Sequence, residues 1–186
     1  MSRQDRIRWD DKYAGRGAAP VTLIGPPPVF RPHQHLFPTA GHALELACGQ
    51  GLAAVWLARR GLDVLGVDVS PVAIDQARKL ARRSGVGDRC RLDVVDLDGG
   101  LPPGPPADII LCHKFRDRRL DRAIIARLAP GGLLAISALS EVGAAAGPFR
   151  ASAGELPAAF ADLELVDAGE GGGEAWLLAR APLPAS

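Results

Sequence analysis

The sequence predicts an α/β fold: a mostly parallel sheet covered by helices on both faces, with one reversed strand near its end. Three observations carry this. From residue 43 onward, short apolar runs alternate with segments of helical periodicity, and the runs are continuous rather than alternating, as in strands buried on both faces. A Gly-x-Gly turn joins the first such run to the first helical segment. At the end, ADLELVDAGEGGGEAWLLARA (161–181) reads as strand, glycine-rich turn and strand, with too few residues between for a helical crossover, so these two strands are antiparallel.

Taken in order, the first forty residues read as an arm. RQDRIRWDDKYAGR suits a short helix with Ile7, Trp9 and Tyr13 as its apolar points, and the proline-rich PVTLIGPPPVFRPH is expected to be irregular. Two bulky aromatics in an aromatic-poor chain suggest that the arm (1–40) closes over a pocket in the domain formed by residues 41–186. Residues 43–47 form a strand and 51–60 a helix ending at Gly61. A second strand covers 62–68. Ser70 then caps a helix with Pro71 at its first position, running to about Arg83 with Ile74, Ala77 and Leu80/Ala81 on one face. Strands follow at 89–96, 107–112 and 133–139, with an amphipathic helix at 120–128. With the closing pair this makes a Rossmann-like, doubly wound sheet of seven strands.

Bulk properties narrow the function classes. The 186 residues suit one domain with a sizeable core, and 22 basic against 21 acidic residues leave no electrostatic excess for nucleic acid or a membrane surface. Cys48, Cys90 and Cys112 form neither a disulfide framework nor a zinc pattern. His33 and His35 lack a third ligand placed by sequence, so no metal is expected. The N-terminal residues lack the apolar core of a signal peptide, and no run reaches the roughly 18 apolar residues of a membrane span. The expectation is a cytoplasmic protein.

The chemistry gathers at strand ends. Gly49 and Gly51 let the backbone approach a ligand, and the helix that follows aims its N–H groups at it. Asp68 closes the second strand 19 residues after Gly49, where a carboxylate can take both hydroxyls of a ribose. Gly49-x-Gly51-x-x-Ala54 also satisfies the dinucleotide fingerprint, which keeps an NAD(P)-dependent oxidoreductase open. Glu45, inside the first strand, opposes a diphosphate and suits a cationic ammonium or sulfonium group. Asp96, expected to close the third strand, can accept from an adenine amino group beside the apolar wall of Leu97. Three carboxylates at consecutive strand ends suit a positively charged nucleoside without phosphates, which is S-adenosylmethionine.

In order, ELACGQG, VDVS, VVDLD, ADIILC, LAPGG and the closing hairpin resemble the motifs of class I S-adenosylmethionine-dependent methyltransferases over residues 40–180. The stretch from Leu44 to Ala81 and the segment Trp9-Asp10-Asp11-Lys12-Tyr13 are similar to the small tellurite-resistance-type and thiol-type members. The resemblance implies that Glu45 and the backbone of Ala47, Cys48, Gly49 and Gly51 surround the methionine part, with S-adenosylhomocysteine as product. It implies Asp68 at the ribose, Val69 on the adenine, Asp96 and Leu97 at the adenine rim, and Cys112 where the fourth strand meets the cofactor. It sets Tyr13, with Trp9 in the same segment, near the sulfonium, where an aromatic face stabilises a cation; Arg16 is a further candidate for the methionine carboxylate.

Methyl transfer from a sulfonium is an in-line displacement, so the protein mainly aligns the acceptor and excludes water. His113, directly after the fourth strand, is a candidate general base or a loop histidine without a chemical part. Lys114, Arg116, Arg118 and Arg119 read as a solvated helix start. The expected acceptor is a small molecule: a compact metabolite, thiol, halide or metalloid oxyanion. A non-catalytic S-adenosylmethionine-binding module is the alternative of a different class.

Overall fold

The computed structural model describes residues 3–145, 147 and 150–184. They divide after Gly104 into two compact units. Among the described residues no helix is long and apolar enough to cross a membrane.

The first unit begins with α1 (Arg3–Arg16), then two 3-10 turns, Val21–Leu23 and Pro28–Leu36. The second turn runs through the segment expected to be irregular. Proline pre-sets the φ that a 3-10 start needs, so Pro28 opens this turn where it could not sustain a ladder. Its purpose is packing. Phe30 and Phe37 are buried, and Phe37 meets Trp56 edge-on with ring centroids 5.2 Å apart. The Arg60 guanidinium lies 5.0 Å from the centre of the Trp56 ring and donates to the Phe37 carbonyl at 2.8 Å.

Next come β1 (His42–Leu46), α2 (Leu52–Arg59), β2 (Asp63–Asp68), α3 (Pro71–Arg83) and β3 (Cys90–Val94). β2 lies between the other two and pairs with both in parallel, from His42↔Asp63 to Leu46↔Val67 and from Val64↔Cys90 to Asp68↔Val94. The Ser70 cap is present as read: its Oγ accepts the Ala73 N–H at 3.1 Å, with Pro71 opening α3. Ile74, Ala77, Leu80 and Ala81 form the buried stripe of that helix. β3 stops at Val94, two residues short of the expected end. Asp96 leaves the strand to cap the 3-10 turn Leu97–Gly99, its side chain accepting the Asp98 N–H at 3.0 Å. An Asx-type bond of this kind competes with the ladder and ends it.

The second unit holds β4 (Ala107–Cys112), α4 (Asp121–Arg127), β5 (Leu128–Ser140), β6 (Arg150–Ala151), α5 (Glu155–Ala159), β7 (Glu164–Gly171) and β8 (Glu174–Arg180). β4 and β5 are parallel, β8 runs antiparallel to β5, and β7 runs antiparallel to β8. One strand, β8, is therefore reversed, as the two-residue connection before it requires. β5 starts five residues earlier than expected, at Leu128. Two short elements, β6 and α5, have no counterpart in the sequence reading; both are too short to show a period.

Candidate functional site

In the first unit the chain turns at the C-terminal end of β1 through three left-handed residues, Ala47 (φ +51°), Gly49 (+54°) and Gly51 (+74°). Two of them are glycine for space as well as for φ. A Cβ on Gly51 would stand 2.8 Å from the Ala77 methyl of α3, and one on Gly49 would stand 2.6 Å from the Tyr13 hydroxyl. Ala47 holds the same conformation with a methyl group, at a cost of about 1 kcal/mol.

Two buried carboxylates lie around this turn. Asp68 closes β2 as expected. Its Oδ2 accepts the Gly49 N–H and its Oδ1 the Ser70 N–H, both at 2.9 Å, so it ties the turn to the start of α3. Burial pushes its pKa up, against these N–H bonds, which hold it down. Glu45, on β1, is 5% exposed and its Oε2 is buried with no hydrogen-bond partner among the described residues. Burial raises its pKa to about 8; a bond from the Ala54 N–H opposes the rise, and the Asp68 charge adds to it. An unpartnered buried carboxylate oxygen is expensive unless a cation or donor arrives to meet it. Cys48 is also buried, and burial, with Glu45 and Asp68 nearby, pushes its thiol far up, so it is an inert wall of the turn.

Helix α1 covers this turn. Tyr13 reaches Gly49, and its phenol is pushed well up by burial and by the Asp68 charge. Trp9 stacks on Tyr13 at 5.8 Å, and the Lys12 ammonium sits 4.1 Å over the Trp9 ring. Polar contacts dock the helix: Gln76 donates to the Tyr13 carbonyl at 3.0 Å, Gln50 to the Gly17 carbonyl at 2.6 Å, and Ser70 Oγ to Asp10. Sequence reasoning missed Asp10, Gln50, Ser70 and Gln76 as docking groups. No local signal marks them, because their partners lie 33 to 63 residues away. Val69 is buried beside Asp68 in the chain, and the Asp68 carbonyl accepts the Val95 N–H at 2.9 Å, which brings the end of β3 alongside. Leu97 is buried and Asp96 exposed.

The second unit carries the remaining candidates. Cys112 is the buried last residue of β4, its Sγ donating to the Phe115 carbonyl at 3.3 Å. His113 follows it, with Nδ1 2.8 Å from Ser137 Oγ. The basic run after it differs from the solvated start expected. The Arg116 side chain is buried, bonded to Asp121 through both NH groups and to Glu155 through Nε at 2.8 Å. Arg118 reaches Glu155, Arg119 reaches Asp117, and Lys114 lies 3.5 Å from Glu174. The acidic residues that neutralise this run come partly from α5 and β8, which the local sequence does not show.

Residues 43–132 match the family model described as a methyltransferase domain. A curated relative, ribosomal protein L11 methyltransferase of Photobacterium profundum, is 33% identical over 102 residues, covering 53% of this chain and 34% of its own. The chain spans about a third of the length of the first such relatives, 31–34%. Among solved structures, an S-adenosylmethionine-dependent methyltransferase from Clostridium acetobutylicum has a TM-score of 0.68 at 15% identity, covering 92% of this chain and 98% of its own. TehB from Haemophilus influenzae has a TM-score of 0.67 at 20% identity, covering 75% of this chain and 57% of its own. With an α/β fold that reverses one late strand and a Gly-x-Gly turn walled by two buried carboxylates, this chain shares the fold of these solved methyltransferases, and its residues 43–132 are similar to a methyltransferase domain.

Proposed function

We propose that the chain transfers the methyl group of S-adenosylmethionine to a small-molecule acceptor. The observation that carries this reading is Glu45: a buried carboxyl group with an open oxygen, beside a second buried carboxylate, whose ionised form calls for a cation. The cofactor's ammonium and sulfonium groups fit that demand. When bound, it supplies an activated methyl carbon.

The residues of the chain then have the following work. Glu45 and the backbone of Ala47, Cys48, Gly49 and Gly51 hold the methionine end. Asp68, anchored by the Gly49 and Ser70 N–H groups, accepts the ribose hydroxyls. Val69 and Leu97 give apolar walls to the adenine, and Asp96 accepts at its rim. Residues 1–40 act as an arm: Tyr13, with Trp9 behind it, closes over the turn and excludes water. The resemblance further makes Cys112 a cofactor contact and His113 the general base for the acceptor. The near-zero net charge supports a small acceptor over nucleic acid.

Calorimetric titration with S-adenosylmethionine, S-adenosylhomocysteine and NADH tests the proposal. Micromolar binding of the first two without the third supports it, and binding of NADH alone overturns it.

A further inference from the structure

Helix α1 is held against the first unit by little apolar contact. Among its described side chains none is buried: Trp9, Asp10 and Tyr13 are half-buried and the rest exposed. Polar bonds dock it. Ser70 donates to Asp10, and the others gather at the C-terminal end, where the last backbone carbonyls of a helix have no partner within it. Gln76, on α3, donates to the Tyr13 carbonyl at 3.0 Å. Its own Oε1 accepts from Gln50 at 2.7 Å, and the second N–H of Gln50 goes to the Gly17 carbonyl at 2.6 Å. Gly17, with φ +67°, is the left-handed residue at which the chain leaves α1. Gln50 stands between Gly49 and Gly51, so one pair of side-chain amides joins the turn, α3 and the end of α1.

Chemistry fixes the direction of these bonds. The Gly17 and Tyr13 carbonyls can only accept, so Gln50 presents its NH2 group to the first and Gln76 its NH2 group to the second. Gln76 Oε1 then takes the remaining N–H of Gln50. Turning either amide over would set oxygen against oxygen. Neutral links of this kind make small net contributions, so α1 can lift while the sheet beneath it stays folded. Tyr13 lifts with it. Its hydroxyl lies against Gly49, and burial, then the Asp68 charge, raise its pKa, which sets the phenol near the carboxylate assigned to the ribose.

We propose that Gln50 and Gln76 are positioning residues that latch α1, and with it Tyr13, over the Gly49–Gly51 turn. The latch opens for S-adenosylmethionine to enter and for S-adenosylhomocysteine to leave. This rests on the methyltransferase reading above. The latch bonds join protein to protein, so they act on the bound and the unbound chain alike. Weakening them multiplies the open fraction of both by the same factor. Entry and exit then quicken together, and the dissociation constant, which is their ratio, stays where it was. A residue that touched the ligand would behave otherwise, because its loss would raise the exit rate and the dissociation constant together.

Hydrogen exchange on the full chain, read by mass spectrometry on peptides within residues 6–16, measures the opening of α1 without any ligand. Gln76→Met keeps the length of the side chain and removes both of its bonds; Gln76→Glu keeps the Gln50 contact and sets a carboxylate oxygen against the Tyr13 carbonyl. In both variants α1 should exchange about tenfold faster than in the wild type, with β1 and β2 unchanged. Unchanged exchange in Gln76→Met overturns the latch, whatever Gln76→Glu does, because the added charge then accounts for any effect of the latter. Stopped-flow tryptophan fluorescence with S-adenosylhomocysteine reads the gating. Association and dissociation rates should both rise about tenfold in Gln76→Met while Kd stays within about twofold. Unchanged rates, or a faster dissociation alone, overturn the gating role. Calorimetry on the wild type separates the two levels: no binding of S-adenosylmethionine removes the methyltransferase reading, and the exchange result still decides for or against the latch.

Discussion

Two carboxylates, both buried, do different work because their partners differ. Asp68 is held by backbone N–H donors, so its charge is supported before any ligand arrives; Glu45 has an open oxygen and a pKa near 8. Replacing Asp68 by Ala is expected to weaken S-adenosylmethionine binding at least about tenfold, since a charge-assisted hydrogen bond contributes roughly 1.5–3 kcal/mol. Calorimetry checks this, and an unchanged Kd removes the ribose assignment. Glu45 titrates upward on folding, from 4.5 to about 8, so between those values the folded state holds the extra proton and stability falls as pH rises. Glu45→Gln should therefore gain on the wild type in Tm as pH rises from about 5 to about 8. The ionised form is the one that meets a cation, so wild-type affinity for the cofactor should rise toward the upper end of that range relative to the variant. Parallel pH slopes in the two proteins would remove the assignment.

At the scale of elements, the ion-pair network after β4 matters more to the second unit than its sequence suggests. Glu155, in the first turn of α5, accepts from Arg116, Arg118 and the Ser152 N–H. Burial works to raise its pKa, but Arg118, the Ser152 N–H and Arg116 outweigh it and hold the carboxyl at about 2. A depressed carboxylate contributes stability above its unfolded value and loses it as pH falls through the folded one. Acid unfolding followed by circular dichroism should thus show a loss between about pH 4.5 and 2 that is smaller in Glu155→Gln, although the variant is less stable at pH 7 because Arg116, 3% exposed, loses a partner. Identical acid profiles would mean that α5 is held by packing of Leu156 and Phe160 alone.

For the whole molecule, a ligand that binds only the folded chain adds RT ln(1 + [L]/Kd), about 2.7 kcal/mol at a hundredfold excess over Kd. S-adenosylmethionine should raise Tm by several degrees and NADH should leave it unchanged; the reverse would point to a dinucleotide. The repeating strand–helix order, the Ser70 cap with Pro71, the stripe of α3, the reversed strand and the Gly49–Gly51 turn were all legible in the sequence, because each depends on neighbours within a few residues. The end of β3 was misread because the Asp96 side chain competes locally with the ladder, and β6 and α5 were not seen because two and five residues carry no period. Asp68 and Glu45 could be picked out by their places at and within strands, yet which of them would be satisfied and which left open was settled by Gly49, Ser70 and Ala54 meeting them in space. The same holds for His113: its position after a strand is a sequence fact, while its meeting with Ser137 and Glu174 exists only because β5 and β8 run side by side. By itself the sequence determined most of the secondary structure, the reversed closing strand and the Gly49–Gly51 turn, since these follow from local conformation and periodicity. Only the tertiary structure decided the charge states and partners of the functional side chains, because burial and hydrogen bonding depend on residues far apart in the chain.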